Sequence, residues 1–139
     1  MHYNGSERRK YQRFRVTIPA NIGLIDRKGG KTIHDQFKGS ITDISIEGLG
    51  LELNYPGSGF LPFANKIVGE KKEFDLEILA NLGIKVIRGI GEVKWVSMDP
   101  PYFFRVGVFL KEMEDDEKEK WVNFVRSQSQ KICRSDLLY

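Results

Sequence analysis

From Phe14 to Leu24 apolar side chains occupy every even position: Phe14, Val16, Ile18, Ala20, Ile22 and Leu24. The odd positions between them carry Arg15, Thr17, Pro19, Asn21 and Gly23. Alternation with a period of two places all the apolar groups on one face of an extended chain, so this stretch reads as a long half-buried strand. Pro19, on the outer face, marks an edge or a bend, because it has no N–H for a ladder. A helix cannot use this pattern. The rest of the chain therefore has to supply a sheet for the strand to join.

It does so in pieces. "DRKGGK" reads as a turn, with Gly29 and Gly30 supplying positive φ. In "SITDISIEGLGLELN" the apolar phase changes twice: Ile41 is odd, Ile44 and Ile46 are even, and Leu49, Leu51 and Leu53 are odd again. A one-residue shift sends side chains to the opposite face, so the chain bulges or turns at Thr42/Asp43 and again at Glu47/Gly48. By the same parity Asp43 and Ser45 point away from the core and are open to a ligand. Residues 54–72, rich in Gly and Pro, read as loop with at most a short strand or one turn of helix. "EFDLEILA" alternates again, "NLG" reverses it, and "IKVIRGIGEVKWV" is a long strand with Gly89 and Gly91 as bulge or close-approach positions. "YFFRVGVFL" is one more strand. Strands joined by Gly/Pro turns, with no helices between them, predict an antiparallel barrel or sandwich.

The tail changes period. "EDDEKEK" places acids where a helix N-terminus favours them, and Trp121, Phe124, Val125, Gln128 and Ile132 follow at helical spacing. That stripe is a face to be packed on the sheet.

The 139 residues are enough for one domain with a real core. No run of eighteen apolar residues predicts a membrane span, and the opening "MHYNGSERRKYQ" is no signal peptide, which predicts a cytoplasmic protein. A single cysteine, Cys133, excludes an intramolecular disulfide, and its distance in sequence from His2 and His34 suggests no metal site. No G-x-S-x-G, P-loop or H-E-x-x-H pattern is present, and neither histidine has a nucleophile placed beside it. The chain reads as a binding protein, not an enzyme, with no cofactor of its own.

The net charge of +3 is concentrated. Five cations, Arg8, Arg9, Lys10, Arg13 and Arg15, crowd into eight positions at the mouth of the first strand. Without them the 22 basic residues fall to 17 against 19 acidic ones, a balance of −2. A general nucleic-acid binder spreads its charge over a face. Here the target is a small or local anion.

Two spaced motifs say which. "RKYQR" (Arg9 to Arg13) has the form R-x-x-x-R, and "DISIEG" (Asp43 to Gly48) about thirty residues later has the form D-x-S-x-x-G. In this order, with "GEVKWV", "RVGVFL" and the helix ending in "WVNFV" downstream, the sequence resembles the PilZ domain family over most of its length. The resemblance implies a mainly β fold, a six-stranded antiparallel β-barrel with a C-terminal α-helix. It divides the chain into a flexible basic segment at residues 1–12, a PilZ domain at 7–130 and a tail at 131–139.

It also implies binding of cyclic di-GMP, the bacterial second messenger. Arg9 and Arg13 grip phosphates, pair with the O6/N7 edge of guanine or stack on the base. Asp43 accepts from guanine N1–H and N2–H₂, an edge adenine lacks. Ser45 bonds the base or backbone, and Gly48 lets the chain turn close to the ligand. Arg8, just before the first motif, is a mark of a stacked pair of ligand molecules. A stand-alone domain of this kind acts as a receptor or adaptor that hands its signal to an unidentified downstream protein. Two other readings remain at this stage: a single-stranded nucleic-acid-binding barrel using Tyr11 and Phe14, against which the charge balance counts, and a PilZ-like module that docks a protein without ligand.

Overall fold

The computed structural model describes residues 12–54, 60–99 and 103–137. In chain order these form β1 (Phe14–Asp26), β2 (Thr32–Ile44), β3 (Gly48–Asn54), α1 (Phe60–Ile67), β4 (Phe74–Asn81), β5 (Val86–Asp99), β6 (Phe103–Glu112) and α2 (Asp115–Leu137). All strand pairs are antiparallel. Their order is β1-β2-β3-β6-β5-β4, with β4 pairing back onto β1, so the sheet closes into a barrel. This is the six-stranded barrel with a C-terminal helix that the sequence resemblance implies.

The barrel forms because the period-two strands can bury one face only by curling around it. Along β1, Phe14, Ile18, Ala20, Ile22 and Leu24 are buried while Arg15, Thr17, Pro19 and Asn21 are exposed. Ile41, Ile44, Leu49, Leu51 and Leu53 fill the interior from β2 and β3. Each such side chain contributes about 1.5–3 kcal/mol relative to an exposed one. Pro19 pairs with Ser40 on β2 and precedes Ala20, where the β1–β4 pairing begins.

Both phase changes in the second motif are real. Thr42 is an extra residue between Ile41 and Asp43 in the β2–β3 register, and the second change is the turn that separates Ile44 from Gly48. β5 likewise steps register between Ile90 and Gly91.

Three sequence expectations need correction. The first turn has positive φ at Gly30 (69°) and not at Gly29, because the Asp26 side chain and backbone already shape it: Asp26 Oδ1 accepts from Lys28 N–H at 2.9 Å and its carbonyl from Gly30 N–H at 2.8 Å. The stretch read as loop holds two turns of helix, α1, whose Ile67 is fully buried. The third concerns Ser45 and is taken up with the site.

β4 carries two buried acids, Asp75 and Glu77, on the face away from the interior. Glu77 Oε1 accepts from His34 Nδ1 at 2.7 Å and Oε2 from Arg88 Nε at 2.9 Å. Burial pushes its carboxyl up, but the hydrogen bonds and charges of His34 and Arg88 outweigh it and hold Glu77 below its ordinary 4.5. Asp75 takes Lys111 Nζ on Oδ2.

α2 begins with Asp115, Asp116 and Glu117 in its first turn, where the helix dipole favours acids. Trp121 is 1% exposed, Val125 is buried beside it, and the indole Nε1–H donates to the Ser45 carbonyl at 3.0 Å. The predicted helical stripe is thus packed on the barrel through Trp121, Phe124 and Val125. Among the described residues no helix is long and apolar enough to cross a membrane, and no group of three or more His, Cys, Asp or Glu is placed to hold a metal ion.

Candidate functional site

The two motifs meet. Arg13, one residue before β1, reaches Asp43 near the end of β2, and its Nη1 donates to Asp43 Oδ1 at 3.0 Å. Both side chains are about 30% exposed, so the pair is solvent-screened and contributes little to stability, about 0–1 kcal/mol. Its value is positional: it shows that residues thirty apart in sequence share one spot on the barrel wall.

A row of cross-strand neighbours explains why the carboxylate sits where it does. Arg15 on β1 is opposite Asp43 on β2, Asp43 is opposite Gly50 on β3, Gly50 is opposite Gly107 on β6, and Gly107 is opposite Trp95 on β5. A Cβ on Gly50 would overlap the Asp43 carboxylate, and one on Gly107 would overlap the Trp95 indole. The two glycines therefore form a bare floor, with an acid lying over one and an aromatic ring, 43% exposed, over the other.

Behind Asp43 the chain turns tightly. Ser45 Oγ accepts from Gly48 N–H at 3.1 Å and donates to the Gly48 carbonyl at 3.3 Å, while Ser45 N–H also donates to that carbonyl at 2.9 Å. The S-x-x-G spacing is what lets one hydroxyl clamp both ends of this reversal. Ser45 is 4% exposed, so the expectation that it faces away from the core is overturned: parity stops predicting direction once β2 has ended at Ile44. Gly48 does turn the chain without a Cβ, but the neighbour that needs the space is β6, since a Cβ there would lie 2.6 Å from the Val108 carbonyl. Trp121 locks the same turn from α2 through the Ser45 carbonyl.

The bulge at Thr42 opens the wall beside Asp43 into a polar groove of about 500 Å³ lined by Arg15, Val16, Thr17, Thr42, Asp43 and Arg105. Two guanidiniums, two hydroxyls and a carboxylate can between them bind an anion and an N–H-rich base edge. Of the residues singled out in sequence, Arg13 and Asp43 are in contact, and Ser45 and Gly48 build the turn behind them. Arg8 and Arg9 lie outside the described residues. Sequence reasoning missed Gly50, Arg105 and Trp95. Gly50 was signalled weakly, as a glycine inside a strand pattern. Arg105 alternates with apolar neighbours like any solvated strand residue and gave no signal.

A second groove, of about 550 Å³, runs between Ile46, Ile90, Leu110 and the start of α2; from the two motifs it includes Ile46, a variable position of D-x-S-x-x-G, and none of the fixed ones.

The fold recurs in solved structures. The Bacillus subtilis inhibitor of motility MotI/DgrA superposes with a TM-score of 0.61 at 16% identity, covering 89% of this chain and 52% of that one. The PilZ domain of YcgR from Escherichia coli, with c-di-GMP, gives 0.59 at 15% identity, covering 93% and 97%. The K. pneumonia MrkH–c-di-GMP complex gives 0.55 at 17% identity, covering 91% and 55%. The chain thus spans about half the length of MotI/DgrA and MrkH, and nearly all of the YcgR domain. No curated protein matches it in sequence. A family model for the PilZ domain matches residues 7–127, and with the barrel and the C-terminal helix in place the chain belongs to the PilZ domain family.

Proposed function

We propose that this protein is a receptor for cyclic di-GMP, working in the cytoplasm of a bacterium and passing the signal to a protein partner. The observation that carries the reading is the Arg13–Asp43 contact, which joins the two motifs at the edge of an open polar groove. Family membership and two structural neighbours whose names carry c-di-GMP support it.

In this reading Asp43 accepts from guanine N1–H and N2–H₂, and Arg13 exchanges a carboxylate partner for the ligand's phosphate or base face. Opening a half-exposed ion pair costs little, so the site is kept assembled without being locked. Arg9 joins Arg13 on the phosphates, and Arg8 serves a second, stacked ligand molecule. Ser45 and Gly48 act by fixing the turn that aims Asp43. The domain covers residues 7–130, with residues 1–12 as its basic N-terminal segment, and the stretch 131–139 contains the last turns of α2, which ends at Leu137.

The test is equilibrium binding of cyclic di-GMP and cyclic di-AMP to wild type, Arg13→Ala and Asp43→Ala. Wild type is expected to select the guanine ligand, Arg13→Ala to lose at least about tenfold in affinity, and Asp43→Ala to lose both affinity and selectivity. Equal binding of the two ligands by wild type, or an unaffected Asp43→Ala, overturns the reading.

A further inference from the structure

The groove holds more positive charge than the motifs account for. Arg13 is engaged by Asp43, and the cations that line the groove itself are Arg15 on β1 and Arg105 on β6. Asp43 stands between them, and a carboxylate repels phosphate oxygens. A diester ligand whose base is read by Asp43 therefore needs cations on the flanks of that residue.

We propose that Arg105, which belongs to neither motif, is a phosphate-binding residue of this site and forms with Arg15 a two-sided clamp on the ligand's phosphodiester backbone. This rests on the cyclic di-GMP reading and deepens it.

Three features place Arg105 for the task. It is exposed on the outer wall, on the same face of β6 as Gly107, two residues away. On β3 its cross-strand neighbour is Glu52, and two residues further along the same face stand Gly107 and Gly50, over which the Trp95 ring and the Asp43 carboxylate lie; Arg105 shares the groove with Thr42 and Asp43. And β1 and β6 are separated by β2 and β3, roughly 14 Å of sheet at about 4.7–4.9 Å per strand, so the two guanidiniums approach from opposite sides. The 500 Å³ between them is in the range of small-molecule sites, and Thr17 and Thr42 add hydroxyl donors to its wall. The planar fork of arginine matches a phosphate's paired oxygens, which a lysine cannot do.

The test is calorimetric titration of wild type, Arg105→Ala and Arg105→Lys with cyclic di-GMP at low and high salt, with cyclic di-AMP as the second ligand. Arg105→Ala is expected to bind roughly tenfold or more weakly, with a shallower salt dependence and intact preference for guanine. Arg105→Lys is expected to restore the salt dependence but only part of the affinity. Wild-type affinity and salt dependence in Arg105→Ala overturn the proposal and leave the receptor reading standing. Loss of guanine preference in Arg105→Ala also overturns it, since Arg105 then reads the base. Failure of wild type itself to bind overturns the receptor reading and this inference with it.

Discussion

At the scale of single residues, the site depends on a side chain that is absent. Gly50 leaves the space into which the Asp43 carboxylate folds, and that carboxylate holds Arg13 at 3.0 Å. Gly50→Ala should push Asp43 off its position while leaving the core intact, because the displaced group is the end of a half-exposed side chain. We expect cyclic di-GMP affinity to fall roughly tenfold with less than about 1 kcal/mol lost in stability, measured by titration and urea unfolding side by side. Unchanged affinity would mean that the carboxylate's place over Gly50 is irrelevant to binding. Single residues were also where the sequence was least legible. Asp43 and Arg13 could be named from their motifs, but the inward turn of Ser45 could not be read from alternation, and Arg105 becomes a neighbour of Asp43 only through the β3–β6 pairing, which no local pattern announces.

At the scale of elements, legibility followed periodicity. β1 and β4 alternate cleanly and were found nearly residue for residue, and the stripe of α2 was clear from Trp121 to Gln128. α1 was not, because it is a short helix set among glycines and prolines whose local signals all favour loop. Nor was the buried charge of β4: Glu77 reads as a solvent-facing residue until β2 and β5 bring His34 and Arg88 against it. That cluster makes a prediction about acid. The folded-state pKa of Glu77 lies below its ordinary 4.5, so its ionised form stabilises the fold above that value, and the contribution is lost as pH falls through the depressed folded value. Glu77→Gln should cost about 1–3 kcal/mol at neutral pH, and the gap to wild type should narrow below pH 4.5. Urea unfolding at a series of pH values measures it. A gap that stays constant down to the acid limb would contradict the ion-pair account of this wall.

At the scale of the whole molecule, the barrel, the turn and the helix form one support for a small patch of wall. The closed sheet fixes β1, β2, β3, β6 and β5 side by side, so Arg15, Asp43, Gly50, Gly107 and Trp95 fall in one row. α2 holds the Ser45 turn behind that row through Trp121, whose indole N–H donates to the Ser45 carbonyl. The most direct measurement is isothermal titration of the wild-type protein with cyclic di-GMP against cyclic di-AMP. Saturable binding of the guanine ligand alone is the predicted result, with two ligands per chain if Arg8 serves a stacked pair. A folded protein that takes up neither ligand, or both alike, would contradict the account.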